Sequence, residues 1–251
     1  MNQENPALNP SNIPTLDEQQ AYYDERWPKE SARPNRLELT RLIEIMRALY
    51  DTKLNFATEK VRICDLGCGR GWISSHLSSF GSVTGVDLSK DGIEAAQKRW
   101  PHVDFVQADI TKYRADELFD IVVSSEVVEH VLDKKAFFDT AYQILRPGGH
   151  LIITTPNKKL FKLYLNSGAE IQPIEDWMSL SNMRTRINSK FMILRHETFP
   201  YDSLYRGIFR IISAPKVISA CKAIRIEQFR RWIFRTFNLG LHQIIHARRL
   251  S

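Results

Sequence analysis

Two carboxylates and an imidazole stand close together in the segment 126–130. Glu126, Glu129 and His130 occupy positions i, i+3 and i+4, which share one face if this stretch is helical. An imidazole, with its ordinary pKa of about 6.5, can take up a proton at neutral pH. Alternatively, the three side chains could hold a magnesium-like ion, or His130 could be a structural bridge after a strand. We take His130 as the catalytic residue and predict no metal site.

A second group of residues is suited to holding a ligand. A short apolar run ends at Asp65, and Gly67, Gly69 and Gly71 follow at alternate positions. Glycine permits positive φ and lets a ligand approach the backbone closely. Asp87 ends the next apolar run, 22 residues after Asp65, where a carboxylate can accept hydrogen bonds from ribose hydroxyls. The pattern predicts a nucleotide-type crevice built from a strand, a glycine turn and a helix.

Apolar runs and helical periods alternate from residue 60 to 157, which predicts a parallel sheet with helices on both faces. Strands are expected near 61–66, 83–87, 103–107, 120–125 and 150–155, and helices near 71–80, 90–99 and 134–145. Ser89 is expected to cap the helix after Asp87. Ligands in such sheets bind beyond the carboxyl ends of the strands. The acidic residues at or just past those ends are Asp65, Asp87, Asp109 and Glu126.

The order of these segments resembles the class I S-adenosylmethionine-dependent methyltransferases. The spacing Asp-x-Gly-x-Gly-x-Gly over residues 65–71 resembles motif I of that family and differs from the dinucleotide fingerprint G-x-G-x-x-G. Three later segments resemble the family in its own order: the loop 107–110, the strand 119–126 and the turn 145–149. The resemblance is close over residues 36–157. It implies a Rossmann-like, doubly wound α/β fold, mostly parallel, with an antiparallel C-terminal strand.

The resemblance assigns most of these residues to the cofactor S-adenosyl-L-methionine. Gly67 and Gly69 would let the backbone approach its methionine part, and Asp87 would bind its ribose hydroxyls. Asp109, with Ile110, would contact the adenine. The predicted cofactor residues are Arg36, Asp65, Gly67, Cys68, Gly69, Asp87, Leu88, Asp109, Ile110, Ser125 and Glu126.

Two details resemble narrower groups within that family. Arg36 resembles an arginine of the ubiquinone-biosynthesis O-methyltransferases that meets the cofactor carboxylate, a task that suits a guanidinium because it donates two parallel hydrogen bonds. The pattern Glu-x-x-Glu-His is shared with those enzymes and with the small-RNA 2′-O-methyltransferases. The RNA enzymes add a histidine ligand after the fifth strand, and His196 is the histidine between that strand and the basic segment here.

The predicted organisation is a single methyltransferase domain, residues 16–251, after a disordered or extended stretch at 1–15. Its parts are the N-terminal helices 16–50, the cofactor-binding core 60–157, and a C-terminal part 158–251 with a basic helical insertion near 203–236. Tyr22, Tyr23 and Trp27 could form a lid or pack on the core. In the tail, a helix is expected near 176–187, and strands near 190–198 and 241–247.

Composition and charge narrow the class of protein. Hydrophobic content of 43% and charge of 25% over 251 residues are typical of a globular α/β domain. No apolar run approaches the roughly 18 residues of a membrane span, no secretory signal is visible, and three cysteines fit a reduced, cytoplasmic protein. The net charge of +6 equals the surplus of basic residues within 200–240.

We therefore expect methyl transfer to a small-molecule acceptor, at a hydroxyl oxygen of a phenol, quinone precursor or sugar. An RNA methyltransferase and a non-catalytic cofactor-fold binding protein are the alternatives. Nucleic acid is the less favoured partner because no separate nucleic-acid module is recognisable. The basic segment 203–236 could contact a membrane surface or an anionic substrate, or form a solvated basic face. The sequence makes no prediction of oligomeric state.

Overall fold

A computed structural model describes the part of the chain that carries the predicted site residues. The described residues are 13–26, 34–57, 60–160, 172–187, 190–199 and 236–250, with single residues at 216, 217, 219, 220, 228 and 232. Trp27 and nearly all of the segment 203–236 lie outside them. The lid role of Trp27, the role of the basic segment and the division into domains therefore stay predictions.

Helices and strands alternate along the described chain. The helices are α1 (Leu16–Arg26), α2 (Arg36–Asp51), α3 (Trp72–Leu77), α4 (Lys90–Arg99), α5 (Lys134–Ile144) and α6 (Leu180–Ile187). The strands are β1 (Arg62–Leu66), β2 (Ser82–Asp87), β3 (Asp104–Gln107), β4 (Phe119–Ser125), β5 (Leu145–Pro156), β6 (Phe191–Phe199) and β7 (His242–Arg249). Among these helices, none is long and apolar enough to pass through a lipid bilayer.

In the described part of the chain, seven strands form one sheet in the order β3-β2-β1-β4-β5-β7-β6. Strands β1 to β5 are parallel, whereas β7 runs antiparallel to both β5 and β6. The strand order reverses between β1 and β4, and a ligand crevice opens at the carboxyl ends of strands where this happens. The predicted doubly wound, mostly parallel α/β fold with an antiparallel C-terminal strand is confirmed.

Helices cover both faces of the sheet with two apolar clusters. On one face, Ile45 and Leu49 of α2 pack with Ile93 of α4 against the sheet. On the other face, Phe137 of α5 and Met183 of α6 belong to the second cluster. Because both faces are covered, the central strands are almost continuously buried, as is typical of parallel sheets.

Local capping fixes the helices that border the crevice. Helix α2 begins with a capping box, in which Asn35 Oδ1 accepts from the Glu38 N–H at 3.0 Å and the Glu38 carboxylate accepts from the Asn35 N–H. Ser89 caps α4 as the sequence predicts, with its Oγ accepting from the Gly92 N–H at 3.0 Å. The Ser89 hydroxyl also donates to Asp24 of α1. Helix α1 is thereby tied to the end of β2.

Three local features differ from what the sequence suggested. The helix expected over 176–187 begins only at Leu180, because residues before it direct their polar groups elsewhere: the Asp176 N–H donates to Glu129 O at 2.9 Å. The helical face considered for 126–130 is not formed either. Glu126 has φ +58°, and only a short 3-10 turn follows, at Val128–His130. Strand β5 also begins five residues earlier than expected, at Leu145.

Candidate active site

A cavity of about 960 Å³ opens at the carboxyl ends of β1, β2 and β4. The predicted site residues that line it are Asp65, Gly67, Cys68, Gly69, Asp87, Leu88, Asp109, Ile110, Ser125, Glu126 and His130. Arg36 is exposed at the first residue of α2 and lies outside this lining, so its role stays a prediction. Arg41, from the same helix, reaches the cavity, and sequence reasoning missed it.

The glycine turn after β1 is compact because it packs against the end of β4. Gly67, Gly69 and Gly71 all have positive φ, at 88°, 51° and 70°. A Cβ added at Gly67 would lie 2.3 Å from Cγ2 of Val127. Gly67 therefore serves close packing between two loops, in addition to any approach of a ligand. The turn brings the β1 and β4 ends together at the cavity.

Asp87 holds the glycine turn from the neighbouring strand. Its Oδ2 accepts from the Gly69 N–H at 2.7 Å, and its Oδ1 accepts from the Ser89 N–H at 2.9 Å. Burial raises the pKa of this carboxyl, and the backbone hydrogen bonds only partly offset that effect. Each carboxylate oxygen has a second lone pair. Asp87 can therefore accept further hydrogen bonds from a ligand in the cavity while it fixes the turn.

Asp65 is bound by the helix that follows it. The Ser74 hydroxyl of α3 donates to its Oδ2 at 2.6 Å, and the side chain is buried. Burial raises the pKa of Asp65 to about 7, aided by the charge of Asp87 and opposed by the bond from Ser74. This residue joins β1 to α3 next to the glycine turn, and it lines the cavity.

Asp109 and Ile110 form the side of the cavity beyond β3. Asp109 Oδ1 accepts from the backbone N–H and the hydroxyl of Thr111, at 2.9 and 2.7 Å. Burial alone would raise the pKa of Asp109, but these bonds and the Lys112 ammonium outweigh it and lower the pKa. Ile110 packs against the apolar cluster under α5. The loop is thus ordered by its own hydrogen bonds.

Glu126 is a strained and strongly ionised carboxylate at the end of β4. Its φ of +58° is uncommon outside glycine. His242 Nδ1 lies 2.7 Å, and the Arg41 guanidinium 3.5 Å, from its Oε2. Burial opposes ionisation, but His242 and Arg41 together lower the pKa of Glu126 to about 2. Among the described residues its Oε1 is buried without a hydrogen-bond partner.

Glu129 and His130 belong to the 3-10 turn that follows Glu126 in the chain. The His130 Nδ1–H donates to Ile174 O at 2.7 Å, which leaves the lone pair on Nε2. Burial lowers the pKa of His130 to about 4, so the ring is neutral at pH 7. Glu129 accepts from the Thr155 hydroxyl at 2.8 Å, and burial raises its pKa well above the usual range. A neutral imidazole with a bare Nε2 can accept a proton inside this cavity.

An irregular segment, residues 172–179, closes one side of the cavity and was missed by sequence reasoning. Gln172 and Glu175 of this segment line the cavity. The Tyr23 hydroxyl of α1 donates to Gln172 at 3.2 Å, and the Trp177 N–H donates to Glu175 at 2.6 Å. Burial raises the pKa of Glu175 to about 6. No local pattern in the tail marks these residues, whose position depends on long-range contacts.

The carboxylates at the turn do not converge as a metal site. Glu126 turns toward His242 and Arg41, and in the described residues no group of three or more His, Cys, Asp or Glu side chains could hold an ion. His196 stands on β6, where it contacts Arg184 at 3.0 Å and Gln243 at 2.9 Å, and is not among the cavity residues. The structure therefore does not bring His196 to the cavity with Glu126, Glu129 and His130.

Comparison with known sequences identifies proteins that resemble this chain. Residues 64–153 match the model of a family described as a methyltransferase domain. The chain is 32% identical over 165 residues to a ubiquinone biosynthesis O-methyltransferase of Rickettsia typhi, covering 64% of this chain and 63% of that protein. It is 40% identical over 109 residues to the mitochondrial human protein of the same description, covering 39% and 29%. The match spans less than two thirds of each relative.

Solved structures share the fold at low sequence identity. The N-methyltransferase NodS of Bradyrhizobium japonicum, solved with S-adenosyl-l-homocysteine, aligns with a TM-score of 0.63 at 14% identity, covering 93% of this chain and 99% of that one. The cyclase SpnF aligns with a TM-score of 0.64 at 17% identity, covering 95% and 97%. Because proteins described as a methyltransferase and as a cyclase share this fold, the side chains in the cavity must indicate the reaction.

Proposed function

We propose that this protein methylates a hydroxyl group of a small molecule with S-adenosyl-L-methionine. Its core is a class I methyltransferase domain that resembles the ubiquinone biosynthesis O-methyltransferases. One observation carries the proposal: a single cavity joins the Asp87-fixed glycine turn to the bare Nε2 of a neutral His130. The turn suits a nucleoside cofactor, and the imidazole suits an acceptor that must lose a proton.

The residues at the β1 and β2 ends fit the cofactor. When bound, S-adenosyl-L-methionine supplies a methyl group on a positively charged sulfur. Asp87 would accept hydrogen bonds from its ribose hydroxyls with the lone pairs that Gly69 and Ser89 leave over. The loop of Asp109 and Ile110 would hold the adenine. These side chains bind and orient, and none of them needs to change protonation state.

His130 would take the proton that the acceptor loses. When the acceptor hydroxyl receives the methyl group that the cofactor would supply, its proton would pass to Nε2 of His130. Ile174 O accepts from Nδ1 throughout and stabilises the imidazolium that forms. Since the donor is already activated, alignment and exclusion of water contribute most of the acceleration.

The remaining part of the cavity would receive the acceptor. Tyr23, Gln172 and Glu175 line it on the side of α1 and the segment 172–179. The phenol, amide and carboxylate groups of these three side chains suit a small hydroxylated acceptor. Phenols, quinone precursors and sugars stay the classes to test, in a cytoplasmic setting. Membrane contact through 203–236 stays a prediction.

Calorimetry and a labelled methyl donor test this proposal. The purified protein should bind S-adenosyl-L-methionine and transfer the labelled methyl group to one member of a panel of hydroxylated metabolites. An exposed-site variant, Asp104→Ala at the start of β3, should behave like the unaltered protein. Absence of binding heat at millimolar cofactor would reject the methyltransferase proposal. Binding followed by transfer only to RNA would replace the small-molecule acceptor.

A further inference from the structure

Lys134 at the start of α5 is a buried lysine that the proposed chemistry does not use. Its side chain is only 3% exposed. The ammonium donates to Val131 O at 2.9 Å and pairs with Asp176 Oδ2, also at 2.9 Å. Burying an ammonium is costly unless it is paired. The pair connects α5 to the segment 172–179, which otherwise has no regular hydrogen-bonding pattern.

Further contacts hold this segment on the C-terminal side of Ile174. The Asp176 N–H donates to Glu129 O at 2.9 Å, and the Gln243 side chain of β7 donates to Met178 O at 2.8 Å. Ile174 itself is buried. The Lys134–Asp176 pair therefore lies two residues from the carbonyl that contacts the proposed base. Movement at Asp176 would be transmitted to Ile174 through a short stretch of backbone.

The carbonyl of Ile174 decides which nitrogen of His130 can accept a proton. A carbonyl oxygen only accepts, so at 2.7 Å it requires the hydrogen on Nδ1. If that carbonyl moved away, the imidazole could carry its hydrogen on Nε2 instead. The nitrogen that faces Glu129, 3.7 Å from its Oε1, would then be a donor and could not take a proton.

We propose that Lys134 is a positioning residue, which holds Asp176 and through it the Ile174 carbonyl, so that His130 keeps its hydrogen on Nδ1. This inference rests on the proposed role of His130 as the base. Lys134 touches neither the cofactor residues nor the reacting atoms. Its contribution is to select one tautomer, in the way that an orienting group selects the tautomer of a catalytic histidine.

Nitrogen NMR and steady-state kinetics test the inference on the full-length protein. In the unaltered protein, ¹⁵N-labelled His130 should show a protonated Nδ1 and a bare Nε2. Lys134→Met should shift the ring toward the other tautomer and lower kcat roughly tenfold, a fraction of what a general base contributes. The KM for S-adenosyl-L-methionine should stay unchanged. Lys134→Arg, which retains the charge, should restore most of the turnover.

Two further variants separate positioning from folding. Asp176→Asn keeps the buried lysine and should produce a smaller tautomer shift in the same direction. Lys135→Met is the matched control, because Lys135 is the next residue of α5 and pairs with Asp139 at the surface. It should change neither the spectrum nor kcat. In a His130→Ala background, Lys134→Met should lower kcat no further, since both changes act on one group.

The failures of the two proposals are distinguishable. Unaltered turnover in His130→Ala would overturn the assignment of His130 as the base, and with it the catalytic part of this inference. If His130→Ala is impaired but Lys134→Met keeps the Nδ1–H signal and full turnover, the positioning role alone is overturned. A Lys134→Met loss that Lys134→Arg does not restore, with the tautomer unchanged, would also overturn it.

Discussion

The carboxylate of Asp87 accepts a hydrogen bond from the backbone N–H of Gly69, with Oδ2 and N 2.7 Å apart. The bond joins the end of β2 to the glycine turn after β1. The residue proposed to bind the ribose is therefore also the residue that shapes the turn beside it. Loss of Asp87 should affect cofactor binding in two ways, through a missing acceptor and through a displaced backbone.

Substitution of Asp87 should weaken binding of S-adenosyl-L-methionine strongly. Hydrogen bonds to charged groups contribute about 1.5–3 kcal/mol, so Asp87→Ala should raise the dissociation constant roughly 10- to 100-fold or more. Asp87→Asn retains one acceptor oxygen and should lose less. Calorimetry measures both, with Asp104→Ala as the control. If Asp87→Ala bound the cofactor as tightly as the unaltered protein, the ribose assignment would be wrong.

The glycine turn and Asp87 could be predicted from sequence because they are local. Residues that follow a strand directly have their position set by that strand, and parallel strands end at the same edge of the sheet. Asp65, Gly69 and Asp87 lie at such ends and do reach the cavity. The fold class followed for the same reason, from alternation of apolar runs with helical periods.

The opposite side of the cavity could not be predicted because it depends on distant contacts. His242 at the start of β7 lies beside Glu126 only once β7 has paired with β5. Glu175 lies just before the helix expected over 176–187, in a segment whose hydrogen bonds go to other elements. Arg41 and Arg36 are both on α2, and only the direction of the helix in three dimensions brings one of them to the cavity.

Introducing a methyl group at Gly67 should destabilise the fold. The added carbon would lie 2.3 Å from Val127 Cγ2, and the φ of 88° disfavours any side chain. Overpacking of this kind costs about 1–3 kcal/mol. Urea denaturation should show Gly67→Ala losing that much unfolding free energy. The double variant Gly67→Ala, Val127→Ala should recover the unfolding free energy lost to the steric clash. It should not recover the loss caused by the positive φ. Equal stability of Gly67→Ala and the unaltered protein would contradict the packing described here.

The pH dependence of turnover should reflect a histidine that stays uncharged at acidic pH. Because burial lowers the pKa of His130 to about 4, protonation of this ring should not reduce kcat between pH 8 and 5, and kcat should fall as the pH approaches 4. His130→Ala should lower kcat by roughly 10²- to 10⁴-fold, while His102→Ala, at an exposed histidine, should not. A different result would contradict this prediction: kcat of the unaltered protein falling with a midpoint near pH 6.5, with no such fall in His130→Ala. It would show that the pKa of His130 is not lowered.

A pair of buried histidines between β5 and β7 should make the fold sensitive to acid. His150 Nδ1 lies 2.9 Å from His246 Nε2, and both side chains are buried. Burial lowers the pKa of each from 6.5 to about 4, and neighbouring charges, Arg248 at His150 and Arg195 at His246, act in the same direction. Since the unfolded chain binds these protons more readily, stability is present above pH 6.5 and is lost as the pH falls toward 4.

Urea denaturation at pH 7.5 and pH 5 measures this loss. A histidine whose pKa is lowered from 6.5 to about 4 should contribute about 2 kcal/mol to the difference in unfolding free energy between the two conditions. His246→Gln should reduce the difference by about that amount, and His102→Gln at the surface should leave it unchanged. Asp65, whose pKa is raised to about 7 by burial, acts with the opposite sign, because its contribution is lost as the pH rises from 3.8 to 7. If the unfolding free energy changed equally with pH in His246→Gln and in the unaltered protein, folding would not lower the pKa of His246.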